Sequence, residues 1–144
     1  MNRQLFDKIA NGVCYDYNVT MEMLVKKDRD QIYAYPRQLI MYLAKLYNTG
    51  SESSIAKLFN RDHATVNHAF KTILNYKDTD KHKKESIEKY ETKFKAYIKF
   101  TSILDEHKDE INEINNLLSL LELRYISLKN KMEQLKINAQ NILV

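Results

Sequence analysis

Two glycines and one proline in 144 residues leave this chain few means of turning one β-strand back on the next. Tight turns draw on Gly and Pro for backbone angles that other residues reach only at a cost. A phosphate-cradling loop needs several glycines at fixed spacing, and none is present. From about residue 83 to the end, Gly and Pro are both absent. A many-stranded fold and a nucleotide cradle are thereby excluded, and the chain is expected to be all-α. Its 44% hydrophobic content suffices for a core. No apolar run is long enough for a membrane span, and the first residues carry no signal-peptide core. The single Cys14 has no internal partner and suits a reducing compartment, so a cytoplasmic protein is expected. His63, His68, His82 and His107 lack Cys or carboxylate companions at metal-ligand spacing. No metal, no cofactor and no enzymatic activity are expected.

Apolar spacing predicts a first helix over about 3–15, through Leu5, Phe6, Ile9, Val13 and Cys14. Thr20 is placed to cap a short helix carrying Met23 and Leu24. Pro36 is expected in the first turn of the next helix, which buries Leu39, Ile40, Leu43, Ala44 and either Leu46 or Tyr47. The stretch Asn48-Thr49-Gly50-Ser51 is the clearest break. Two short helices follow, Ser53–Phe59 and about His63–Tyr76, joined by Asn60-Arg61-Asp62. Such a pair is a helix-turn-helix candidate. His68 is expected against the core. Ser51 or Ser53 should cap the first helix of the pair, and Asp62 is placed to cap the second.

Ile87, Tyr90, Phe94, Tyr97, Thr101 and Leu104 mark a long amphipathic helix. Six consecutive charged or ionisable residues, 105–110, interrupt it. Beyond them Ile111, Ile114, Leu118, Leu121, Tyr125, Leu128, Met132 and Leu135 keep an unbroken heptad pattern. The phase slips between the two stripes, which a kink, a tight hairpin or a stutter would produce. Positive charge is in excess over residues 1–104, and the remainder is net negative. That asymmetry fits nucleic acid at one end and protein at the other.

Tyr35-Pro36-Arg37-Gln38-Leu39-Ile40-Met41-Tyr42-Leu43-Ala44-Lys45 is followed at a set distance by Arg61-Asp62-His63-Ala64-Thr65-Val66-Asn67-His68-Ala69. Together they resemble the C-terminal DNA-binding domain (domain IV) of the bacterial replication initiator DnaA. The resemblance covers roughly residues 5–100. It implies a helix-turn-helix domain, of the DnaA domain IV and Trp-repressor kind; the heptad pattern adds a long amphipathic helix or coiled-coil hairpin, which the family's domain lacks. It also implies that Arg61, Asp62, His63, Ala64 and Thr65 face base edges in the major groove, where small apolar groups meet thymine methyls and acids meet cytosine N4. Arg29 falls where the family places a minor-groove arginine. Lys26, Lys27, Arg37, Lys45 and Ser53 fall at or near phosphate contacts, which fix register without reading sequence. Two departures stand out. Arg29 lies between Asp28 and Asp30 in a loop that the family fills with arginine, and Ala64 replaces a threonine.

The expected organisation is a DNA-binding domain over 1–100 and a coiled-coil helix over 101–144. In that helix Ile111, Ile114, Leu118, Leu121, Tyr125, Leu128, Met132 and Leu135 form an oligomerisation seam. At 144 residues the family's ATPase module is not expected in this chain. The resulting expectation is a sequence-specific double-stranded DNA-binding protein that recognises DnaA-box-like sites and regulates replication or transcription as a homo-oligomer. Another replication or phage protein is a possible partner, and a membrane is not. The competing expectation is a coiled-coil adaptor with a degenerate DNA-binding domain.

Overall fold

The computed structural model describes all 144 residues, and every element is α-helical. The helices are α1 Arg3–Asp16, α2 Met21–Val25, α3 Gln31–Leu46, α4 Glu52–Leu58, α5 His63–Thr79, α6 Lys81–Glu106 and α7 Lys108–Ile142. Two compact units result, Met1–Ala96 and Tyr97–Val144. No helix is long and apolar enough to cross a membrane.

The scarcity of glycine is met by asparagine. Helices α1, α3 and α4 each end on an Asn in the left-handed region: Asn18 (φ 52°), Asn48 (φ 50°) and Asn60 (φ 53°). Around each, two backbone bonds close the helix end. Arg61 N donates to Ala56 O at 3.0 Å and Asn60 N donates to Lys57 O at 3.1 Å, with the same pair of spacings after α1 and α3. This is the Schellman closure, which asparagine can supply because its short polar side chain tolerates positive φ. The starts are capped as locally: Asn2, Thr20, Asp30, Ser51 and Asp62 each accept a backbone N–H from the first turn that follows.

In the first unit, α3 lies at the centre and packs against α1, α2, α4 and α5. Leu39 through Ala44 are six consecutive buried residues, so this helix is covered on every side. Of the two residues expected to extend that core, Leu46 is exposed and Tyr47 is half-buried. Its hydroxyl donates to Glu91 O. Pro36 is also displaced from its expected position. Asp30 Oδ1 accepts Ile32 N at 3.1 Å and starts the helix at Gln31, so Pro36 sits inside it, past the first turn. The proline leaves the Ile32 carbonyl without its i+4 donor. Ile32 is an exposed residue of the first turn, where water can supply that bond.

The first part of α6 belongs to this unit through buried Ile87, Tyr90 and Phe94. Polar contacts fix its register: Tyr90 donates to Asp16 Oδ2 at 2.6 Å, and Glu91 receives Lys77 at 2.9 Å and the Tyr42 hydroxyl. In the second unit, α7 has no buried residue. A single residue, His107, separates α6 from α7, with φ −101° and ψ 14°. Helical i to i−4 bonds persist on both sides of it, His107 N to Ile103 O and Ile111 N to His107 O. The phase slip read from the heptads is therefore taken up by a one-residue break. A hairpin would need a loop of two or more residues.

Candidate nucleic-acid interface

Helices α4 and α5, with the turn 59–62 between them, form the helix-turn-helix. Phe59 closes α4 and is fully buried, its ring edge-on to Phe6 of α1 at 6.2 Å. Burying such a side chain contributes roughly 1.5–3 kcal/mol, enough to seat the turn firmly. Val66, Ala69 and Ile73 are the buried stripe of α5. His68 lies off that stripe and is exposed, contrary to its expected place against the core.

The first turn of α5 projects outward. Asp62 Oδ1 accepts Ala64 N at 2.9 Å, so its carboxylate serves as the helix cap. The same oxygen lies 2.9 Å from His63 Nδ1, which orients the imidazole and leaves Nε2 facing outward from that pair. His63 and Ala64 are exposed, and Thr65 is half-buried.

Arg61, expected at the major groove, has its guanidinium engaged with main-chain carbonyls. Its Nη2 donates to Lys26 O at 2.7 Å and its Nη1 to Val25 O at 3.3 Å, with further bonds to Phe59 O and Asn60 O. A guanidinium has five donors in a fixed fork and suits such a cluster of carbonyls. Arg37, expected to touch phosphate, is only 7% exposed, and its Nη2 donates to Asp28 O at 2.8 Å. Burial pushes this guanidinium below its ordinary range, nearby Arg61 pushes it the same way, and Asp28 opposes both. Two arginines thus hold the loop between α2 and α3 by its main chain.

That loop presents Lys26, Lys27 and Arg29, all exposed. The acids beside Arg29 have local structural work. Asp28 Oδ1 accepts Asp30 N at 2.9 Å, and Asp30 caps α3. Ser51 caps α4 through Ser54 N at 3.2 Å, leaving Ser53 exposed and free of that duty.

Lys45 is held in a triangle that the sequence did not reveal. Its ammonium donates to Glu52 Oε1 at 2.6 Å and to the Asn67 side-chain carbonyl, while Asn67 Nδ2 donates to Glu52 Oε2 at 2.6 Å. Phe70 lies beneath the ammonium, 5.0 Å from ring centroid to Nζ. Hydrogen bonds from Lys45 and then Asn67 hold the Glu52 carboxyl below the usual carboxylate range. Only Asn67 could have been suspected from spacing, since it lies one turn beyond His63 on α5. Glu52 carried no such signal.

Residues 6–73 match the family model described as the bacterial DnaA protein helix-turn-helix. This region is a DnaA-type helix-turn-helix. Among similar curated proteins, chromosomal replication initiator protein DnaA of Caldanaerobacter subterraneus subsp. tengcongensis is 36% identical over 89 residues, covering 62% of this chain and 20% of that protein. The same-named protein of Bacteroides fragilis is 38% identical over 90 residues, 62% of this chain and 19% of the relative. That of Desulfatibacillum aliphaticivorans reaches 46% over 61 residues, 42% of this chain and 13% of the relative. The chain thus spans about a fifth or less of the length of these relatives. Every interface residue named in this subsection lies within the matched span 6–73.

Proposed function

We propose that this chain binds double-stranded DNA in a sequence-specific manner, at sites resembling the DnaA box, and regulates replication initiation or transcription. The carrying observation is Arg61, which ties the helix-turn-helix to the basic loop. One frame thereby offers His63 and Ala64 at the tip of α5 together with Lys26, Lys27 and Arg29 on the loop. His63 and Ala64, followed by Thr65, enter the major groove. The Asp62 cap sets their approach, and Arg29 reaches the adjacent minor groove, where negative potential attracts arginine. Lys26, Lys27 and Ser53 neutralise or bond phosphates. Arg37 and Arg61 serve as loop anchors, and Lys45 is a phosphate contact held back by Glu52. Self-association through α7 raises the avidity for two sites on one DNA.

Fluorescence anisotropy with a box-containing and a scrambled duplex, across salt concentrations, tests this reading. His63→Ala should remove most discrimination, at a cost of about 1–3 kcal/mol on the box alone. Lys27→Ala should weaken both duplexes alike and make the salt slope shallower by about one. Equal affinity of the unaltered protein for both duplexes would overturn the sequence-specific reading. The uncovered apolar face of α7 favours a second reading, an adaptor whose coil carries the function. No DNA binding together with a stable oligomer would select it.

A further inference from the structure

Helix α7 leaves its heptad stripe uncovered: Ile114, Leu121, Tyr125 and Leu135 are each more than half exposed. Ile111, Leu118, Tyr125 and Met132 occupy a positions, and Ile114, Leu121, Leu128 and Leu135 occupy d positions. The flanking e and g positions carry the charges that decide which way a second helix lies. We propose that α7 pairs with α7 of a second copy in the antiparallel sense, with the two-fold axis passing near Leu123. This rests on the self-association included above and adds its direction and register.

The argument is a comparison of charges. In a parallel, in-register pair each g residue faces the e residue five positions on in its partner. Arg124 then meets the partner's Lys129, and Lys131 meets the partner's Lys136. Two-fold symmetry doubles both, giving four like-charge contacts and no opposite-charge contact. In an antiparallel pair e faces e and g faces g. With the axis at Leu123, Glu122 meets the partner's Lys129 and Glu110 meets the partner's Lys131. Both occur twice, and no like charges meet. The core layers are then Leu121 on the partner's Tyr125, Leu118 on the partner's Leu128, Ile114 on the partner's Met132 and Ile111 on the partner's Leu135.

Neighbouring registers are worse. A shift of one heptad towards the N-terminus sets Glu122 against the partner's Glu122. A shift the other way sets Lys129 against the partner's Lys129 and Arg124 against the partner's Arg124. The chosen register also overlaps α7 over nearly its whole length, from Lys108 opposite the partner's Asn138. Large and small core residues alternate across it, as Tyr125 and Met132 face Leu121 and Ile114. The α7 N-termini of the pair lie about 45 Å apart along the coil at 1.5 Å per residue, whereas a parallel pair would set them side by side. Such a pair is suited to holding two separated DNA segments.

The experiment uses the full chain. Ile111→Cys and Leu135→Cys are made separately and oxidised alone or mixed, with buried Cys14 as the native background. Antiparallel pairing predicts no covalent dimer from either variant alone and a covalent dimer from the mixture. Covalent dimers from each variant alone would overturn the proposal in favour of parallel pairing. Because a core cysteine could weaken the pair, Lys129→Glu is measured by sedimentation equilibrium as a second test. It should loosen the dimer on the order of tenfold, since two attractive contacts become repulsive. Adding Glu122→Lys should restore it. In a parallel pair Lys129→Glu would instead tighten the dimer by meeting Arg124. A monomer at all concentrations would remove self-association itself, a result independent of DNA affinity.

Discussion

Arg61 Nη2 donates to the Lys26 carbonyl at 2.7 Å, joining the turn of the helix-turn-helix to a loop 35 residues earlier in the chain. The bond ties the basic loop to the turn that precedes α5. Arg61→Ala should cost about 1.5–3 kcal/mol, the range for hydrogen bonds to a charged group. Amide exchange should rise at Lys26 to Arg29, and affinity should fall for box and scrambled duplex together. Loss of discrimination with the loop's protection intact would instead make Arg61 a base reader.

Glu52 restrains Lys45. Glu52→Gln should free the ammonium for phosphate, raise affinity for any duplex and steepen the salt slope by about one. The pH dependence follows from the direction of the Glu52 shift, which is downward. A lowered carboxyl keeps its charge, and its hold on Lys45, throughout the ordinary carboxylate range. The hold is present above the unfolded value and is lost as pH falls through the lower folded value. Titrating duplex affinity downward in pH should therefore show a late rise in the unaltered protein that the Gln variant lacks. A rise of equal size in both would refute the restraint.

Asn60 ends α4 with φ 53°. Asn60→Ala should destabilise the chain by about 1–2 kcal/mol, because Cβ crowds the carbonyl there and alanine has no polar group to offset it. Asn60→Gly should be close to neutral in thermal unfolding. If Ala and Gly behave alike, the left-handed closure is not what holds the turn.

Cys14 is buried in α1, and burial raises its thiol above the ordinary value. Less thiolate and less access both slow alkylation at neutral pH. Iodoacetamide should modify it slowly until denaturant unfolds the first unit, then quickly. Fast labelling of the native protein would contradict this packing.

Local features were legible in the residues themselves. Thr20 and Asp62 cap the helices they precede, Ser51 caps α4, and the stripes through Leu39 and Leu43 and through Ile87 and Tyr90 face the core. Caps and stripes depend on neighbours within one or two turns, so the chain states them directly. The start of α3 is an exception of the same local kind: the Asp30 cap prevailed over Pro36, because one missing bond near an exposed helix start costs less than the first turn gains.

The partners of the basic residues were decided elsewhere. Arg37 and Arg61 look interchangeable with Arg29 as DNA contacts in sequence, but the first two spend their donors on loop carbonyls and the third is exposed. Lys45 meets Glu52 and Asn67 only because α3, α4 and α5 converge. Sequence alone determined which segments become helices, where they stop and which motif they build, since these follow from short-range backbone chemistry. Only the tertiary structure decided which charges remain free for a polyanion, since a charge is free or claimed according to partners brought from distant parts of the chain.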